Sequence, residues 1–482
     1  MIVVNAVMLG FTKEMADRTQ GILGDVIFTA RDLNKGFPHY DWHRKKIFEV
    51  AGDLIEELTP TAVTDGMLTY RIGGIGEPVT FQVKIVGVDV ATQAKVSKIA
   101  AYLQHPENRK LLSFDLRDDG YDVQRDDGKG IHREEMRHAG WDYRRWRAAQ
   151  IKHQQRQFEA QRQTDTDDAP SDPFTQFQDD IPVFDMAREQ HTGIIVGIGT
   201  SSLRRTSTID SETGEKIVED NLALLPGDDV TLGFLTADWP PRIGSDSFTV
   251  VDLYESKMWQ YDQGFVFVPI EKLQRLRGMV DADTGSLTVT QILIKAKPGV
   301  DINLVRDRLR EVFPAMRYSI TTWQDDTRQM LDAFATELAM INVLLFLIFA
   351  VAGFGILAIF YMIVIEKQRD IGILKALGAS SGGVMQIFLY YSLLLGSVGS
   401  GLGLAAGLLF VEYIKEIAVF LGYILQRDIF NPEVYSFYEI PTEVDAFTVM
   451  WIIAGAICIA VAAGVLPAMR AARVHPVETL RS

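Results

Sequence analysis

The stretch Leu338–Ile365, LAMINVLLFLIFAVAGFGILAIFYMIVI, runs for 28 residues without a charge, and Glu366–Met385, EKQRDIGILKALGASSGGVM, breaks it with a short charged, amphipathic string. About 20 apolar residues rising 1.5 Å each cross the hydrocarbon core of a bilayer, so a run of this length reads as a transmembrane helix. A second apolar run occupies 384–411 and a third 446–466. The chain is therefore expected to be an integral membrane protein. The charged string, 366–383, becomes a loop held at the membrane surface between two spans.

Loop charge sets the expected orientation. Lys367, Arg369 and Lys375 lie in that loop, and Arg470, Arg473 and Arg481 lie in the tail, 467–482. The connection 412–445 is acidic, with Glu416, Asp428, Glu433, Glu439, Glu443 and Asp445. Lys and Arg near span ends favour the cytoplasmic side. The loop and tail are thus expected in the cytoplasm, and the acidic connection and residues 12–325 outside it.

Those first two-thirds are rich in charge and read as an α+β domain. Val26–Ala30 reads as a strand and Asp41–Leu58 as an amphipathic helix, with Ile47, Val50, Ala51, Leu54 and Leu58 at three- and four-residue spacing. Strands follow at 62–72 and 80–88, joined by Gly73–Gly76, and then a helix over 92–103. After Gly193 the pattern is β-rich, with strands at 230–234, 247–253, 265–269 and 289–295 and helices at 271–277 and 300–313. A polar helix from Trp323 to Glu337 is expected to run without a break into the first span, making 326–365 a stalk and span.

Two segments stand apart. MIVVNAVMLGF, residues 1–11, has no basic leader and no small-residue cleavage site, and it is too short to span. It reads either as the tail of a transmembrane helix that starts upstream or as an ordinary buried helix. Residues 118–174 are rich in Arg, Gln and Asp, with Trp141, Tyr143, Trp146 and Phe158 among them. One exposed helix and a Pro/Asp linker are expected there, solvated or resting on a partner or on lipid headgroups. Nucleic-acid stacking fits poorly with a net charge of −15.

Catalytic signatures are missing. The sequence has no Walker A string, no GxSxG elbow and no HExxH pair. No ionisable residue interrupts the three runs, which argues against a proton or ion pathway. His39 and His43 have helical spacing but no third ligand, and Asp281 with Asp283 fits a turn better than a calcium loop because Ile292 stands where the last acid is needed. Cys458, the only cysteine, lies in the third run, so no disulfide forms within the chain. The chain does not read as an enzyme.

The loop is more specific. Ile371, Leu374, Lys375 and Gly378 fall on or near one face of a short helix. Gly378 is placed to stop it in a left-handed conformation, and Ser380 to cap the next helix. With Ile371, Leu374 and Leu377 exposed, that helix needs either lipid or a partner groove. In the second run Gly399, Gly403 and Gly407 form a stripe that lets helices approach closely in lipid, unless glycine is merely frequent there.

EKQRDIGILKALGAS followed by a glycine-rich span, with LPAMRAARVHPVETLR at the end, resembles the FtsX/MacB-type permeases of ABC transporters. Within them the chain is most similar to the lipoprotein-releasing permeases LolC and LolE. AVMLGFTKEMADRTQGILG, IVGVDVATQAKVSKIAAYL, LLPGDDVTL, YESKMWQYDQGFVFVPIEKLQRL and YEIP extend the similarity over most of the chain apart from 118–174. The resemblance implies a MacB-like periplasmic core and a helical bundle of four spans, of which three are complete here and the first is truncated. It implies a separate ATPase subunit carrying ATP and magnesium, with no cofactor in this chain, and a second permease copy or sister permease. It makes Glu366, Lys367, Arg369, Asp370, Ile371, Leu374, Lys375, Leu377, Gly378 and Ala379 the coupling helix docking on that ATPase. Lipoprotein cargo, a periplasmic chaperone, membrane lipid and location in the bacterial inner membrane follow from the same resemblance. Motion of the stalk and outer domain (mechanotransmission) would do the work. Export of peptides or other amphiphiles, and FtsX-like signalling to a cell-wall hydrolase, are the alternatives.

Overall fold

The computed structural model describes residues 1–72, 77–121, 134–165, 184–209, 216–256, 258–281, 284–425 and 440–473. They divide into an α+β unit, from Ala16 to Asp326, and a helical unit of Met1–Met15 with the described residues from Thr327 onward. In chain order the elements as far as Asp326 are α1 Ile2–Leu23, β1 Val26–Ala30, α2 Tyr40–Ala51, β2 Ile55–Arg71, β3 Pro78–Val88, α3 Val90–Val96, α4 Pro106–Lys110, α5 Trp141–Asp165, β4 Thr192–Gly197, α6 Ile198–Ser201, β5 Ser202–Ile209, β6 Lys216–Leu222, β7 Asp229–Leu235, β8 Ile243–Tyr254, α7 Trp259–Gly264, β9 Phe265–Pro269, α8 Ile270–Arg277, β10 Gln291–Ala296, α9 Ile302–Val312, β11 Tyr318–Thr322 and α10 Trp323–Asp326. The helical unit adds α11 Arg328–Glu366, α12 Gln368–Ala376, α13 Ser381–Glu412, α14 Ile414–Leu425 and α15 Ala446–Ala472.

Among the described residues nine strands form one sheet in the order β11-β1-β10-β2-β3-β9-β4-β8-β7, and β5 and β6 make a separate hairpin. β7 also pairs with β2, Thr231–Phe234 against Gly66–Thr69, so the circuit β2-β3-β9-β4-β8-β7 closes on itself. Closure leaves those six strands without a free edge. The central strands are buried on both faces. Ile194 and Val196 of β4, Val250 of β8 and Val266 and Val268 of β9 enter one core, while their neighbours Ile195, Val251 and Phe267 enter a second. Alternate side chains point to opposite faces, so a two-sided strand needs an unbroken apolar run, as in TGIIVG and FVFVP.

Several expected boundaries shift. The helix expected over 41–58 stops at Ala51, and Ile55 already begins β2. Leu54 and Leu58 fit the helical spacing, but Leu58 pairs with Ile294 in the sheet. The helix expected over 92–103 ends at Val96, and one 3-10 turn covers Ile99–Tyr102. The Gly73–Gly76 connection lies outside the described residues, although Arg71 and Pro78 on either side are antiparallel partners. The polar helix from Trp323 is not continuous with the first span. It closes after Asp326, and a new helix starts at Arg328. The start of α10 is capped reciprocally: the Asp325 carboxylate accepts the Thr322 N–H at 3.1 Å and the Thr322 hydroxyl accepts the Asp325 N–H at 3.2 Å.

In the helical unit α11, α13 and α15 are long and apolar enough to cross a membrane. The first turns of α1 belong to this unit. There the Glu443 N–H donates to the Ala6 carbonyl at 2.9 Å and Lys13 pairs with the Glu443 carboxylate. α14 forms the first part of the acidic connection as an apolar helix, and residues 426–439 lie outside the described residues.

Candidate coupling site

α12 follows α11 after one residue. The Lys367 N–H donates to the Ile363 carbonyl and the Ile371 N–H to the Lys367 carbonyl, each at 2.9 Å, so the backbone turns with its hydrogen bonds kept. At the far end Gly378 has φ +103°, a conformation that costs glycine little and other residues much. The Ser380 hydroxyl accepts the Gly383 N–H at 3.1 Å and starts α13. Both local signals therefore stand where the chain reverses.

The apolar face expected on α12 divides. Ile371 is buried with Val364 of α11, Val384 of α13 and Ala471 of α15. Leu374 is 49% exposed and Leu377 81% exposed. The expectation that all three lie exposed is corrected for Ile371, which roots the helix. Helix geometry accounts for the division: residue 375 lies about 40° round from 371 on one side, and 374 and 377 about 60° and 120° on the other. Lys375 accordingly turns inward, and its Nζ donates to the Ala472 carbonyl at 2.8 Å. That carbonyl belongs to the last turn of α15, where intrahelical partners run out and the helix end is electronegative. Glu366, Lys367, Arg369, Asp370, Gly378 and Ala379 are exposed, and Lys367 meets Asp370 at 3.1 Å. Two residues back along α15, the Arg470 guanidinium sits over the Tyr361 ring of α11, 4.7 Å from its centroid.

The expected glycine stripe is not where the helices of this chain approach most closely. A Cβ at Gly399 or Gly403 would meet nothing within 4 Å, and one at Gly407 would only touch Ile2 at 3.4 Å. The tight contacts fall at Gly396, where a Cβ would stand 2.9 Å from the Ala460 Cβ, and at Gly464, where it would collide with the Ser392 hydroxyl and stand 2.8 Å from the Ser392 Cβ. Four-residue spacing marks a shared face but does not say which face is covered.

In the α+β unit the Arg/Gln-rich segment behaves differently from the expectation of a solvated helix. α5 occupies Trp141–Asp165, and residues 122–133 and 166–183 lie outside the described residues. Its first turns are packed. Arg144 is fully buried and donates to the Asp229 carboxylate at 2.7 Å and to the carbonyls of Gly227 and Glu189 at 2.9–3.0 Å. The Tyr143 hydroxyl donates to Asp228 at 3.3 Å, and Arg147 lies 3.8 Å from the same carboxylate. Burial raises the Asp228 carboxyl to about 6, against the lowering effect of the Leu225 N–H and Arg147. The arginines on α5 gave no sign in sequence that their partners would be the turn at 226–229.

His43 is a core residue. Its ring lies among Phe28, Phe37 and Phe313, Nε2 is 2.8 Å from the Tyr318 hydroxyl, and burial holds its pKa below the usual histidine range. His39 supplies a carbonyl 3.0 Å from His43 Nδ1. Asp281 accepts the Thr284 N–H and hydroxyl, each at 2.8 Å, as a turn residue does, and Asp283 lies outside the described residues. Among the described residues no three His, Cys, Asp or Glu side chains converge on a metal position.

Three long apolar helices, with a short amphipathic helix between the first two, define an integral membrane protein. Residues 342–476 match the family described as FtsX-like permease C-terminal, and this region belongs to it. The chain is 27% identical to the lipoprotein-releasing system transmembrane protein LolC of Neisseria meningitidis serogroup B, over 64% of this chain and 68% of that protein. It is 24% identical to LolE of Haemophilus influenzae, over 46% of this chain and 52% of that protein. It is 25% identical to the macrolide export ATP-binding/permease protein MacB of Neisseria gonorrhoeae, over 41% of this chain and 28% of that protein. The chain thus spans about two-thirds of the first relative's length and about half of the second's. The chain is similar to ABC transporter permeases of this kind.

Proposed function

We propose that this chain is the non-catalytic membrane subunit of an ABC transporter whose separate ATPase subunit pushes on α12, and that the work done is release of lipoproteins from the bacterial inner membrane. The observation that carries the reading is the division of α12. Its root, Ile371, is held in the bundle, while Leu374 and Leu377 are presented outward between two candidate spans. Exposed leucines on a short rooted helix suit a groove on a partner protein. The basic residues of this loop and of the C-terminal tail favour the cytoplasm, where ATP and magnesium are held by the ATPase, and leave the α+β unit outside. A second permease copy or a sister permease completes the complex. A four-span arrangement is part of this reading.

Similarity to the LolC and LolE permeases favours lipoprotein as cargo, and similarity to MacB supports export of another amphiphile as the second reading. The test is Leu374→Asp in the complex purified with its ATPase. A charge placed in an apolar docking face is costly. The variant should lose ATPase binding or transport-coupled hydrolysis, and unchanged assembly and hydrolysis would refute the coupling role. A lipoprotein in the wild-type sample supports the first cargo, and a peptide or small amphiphile the second.

A further inference from the structure

The roots of α12 and the end of α15 share more than contact. Ile371 and Ala471 are 5% and 0% exposed and lie in one cluster. Lys375 closes over the last turn of α15 through its ammonium group on the Ala472 carbonyl. The acceptor is backbone at a helix C-terminus, so the attraction combines a hydrogen bond with the helix dipole. The link to α13 is different in kind. Residues 376–382 are exposed, Gly378 sits at φ +103°, and no atom lies within 4 Å of where its Cβ would be. A load applied at Leu374 and Leu377 therefore meets apolar packing on both Val384 of α13 and Ala471 of α15, with the Lys375 hydrogen bond added on the α15 side.

We propose that α12 and the C-terminal end of α15 move as one body, and that Lys375 is the positioning residue that fastens them. This rests on the reading of α12 as the element the ATPase pushes. It adds that the push enters the membrane through the last helix, 97 residues further on. On the α15 side of this hydrogen bond the acceptor is a main-chain oxygen, so a substitution at Lys375 is the way to remove it.

The test uses the full chain with its co-purified ATPase in vesicles, labelled at Cys458, its only thiol, which lies exposed on α15. An environment-sensitive fluorophore there should shift on ATP addition. Read per bound ATPase, Lys375→Met should lose the shift and Lys375→Arg should retain it. A wild-type shift in Lys375→Met, or no shift in the wild type with ATPase bound, would overturn the proposal alone. Should Lys375→Met fail to assemble, Ile371→Cys with Ala471→Cys in a Cys458→Ser background asks the same question. Cross-linking this pair should leave coupled hydrolysis unchanged, and arrest by the cross-link would overturn the proposal. Absence of any ATPase from the wild-type complex would overturn the permease reading and this inference with it.

Discussion

In the α+β unit an added helix is held by a fully buried arginine, Arg144, on Asp229, whereas in the helical unit α13 and α15 meet through Gly396 and Gly464. The difference follows from the two solvents. In water, burial of apolar surface supplies the drive, and a large polar side chain is carried inside if its donors are met. Arg144 meets that condition with a carboxylate and two backbone carbonyls. Between lipid-facing helices there is no such drive, so close packing of small residues supplies the attraction. A substitution should therefore be felt through lost charge pairing in one unit and through lost space in the other.

The largest effect is expected from Arg144→Met. It takes the guanidinium away from two carbonyls and from Asp229, which keeps the Thr249 hydroxyl at 2.7 Å, and breaking a buried pair costs about 3 kcal/mol. Urea denaturation of the full chain in mild detergent, followed by tryptophan fluorescence, should show the α+β unit unfolding at lower urea, and an unchanged midpoint would refute the anchoring of α5.

Gly464→Ala comes next, at about 1–3 kcal/mol for overpacking. Its Cβ would meet the Ser392 Cβ as well as the hydroxyl, so rotating the serine does not relieve it. Ser392→Gly in the same chain should recover much of the loss of thermal stability. Additive losses in the double variant would mean the two residues do not touch.

Asp228→Asn sharpens the comparison through pH. Burial raises the Asp228 carboxyl from 3.8 to about 6, so the stability linked to it is fully present below about 3.8 and lost as pH rises through 6. His43 and His105, whose burial lowers their pKa values, oppose this by losing stability as pH falls, equally in both proteins. Relative to wild type, Asp228→Asn should therefore gain stability between pH 5 and pH 8. A difference that stays flat over that range would show that Asp228 titrates normally.

The smallest effect is expected from Gly403→Leu, within about 0.5 kcal/mol for the isolated chain, because its position opens onto no neighbour. A large loss of thermal stability in detergent would return the stripe to the interior of the bundle.

Sequence reading reached what is local. The three apolar runs became three long helices, Gly378 took the left-handed turn and Ser380 capped α13. The strand expected at 265–269, FVFVP, formed with those bounds. Each of these depends on the residue and its immediate neighbours, through length, backbone freedom or a side chain that reaches three residues along. Other features needed partners far along the chain. Ile371 and Leu374 are equally apolar, yet Ala471 and Val384 bury the first and leave the second outside. Lys375 reads as one more loop cation until the last turn of α15 arrives beside it. Arg144 sits among other arginines of similar pattern, and only the turn at 226–229 distinguishes it. Gly396 and Gly464 replace Gly399 and Gly403 as the packing glycines for the same reason. Periodicity determines which residues share a face; tertiary structure decides what, if anything, covers that face.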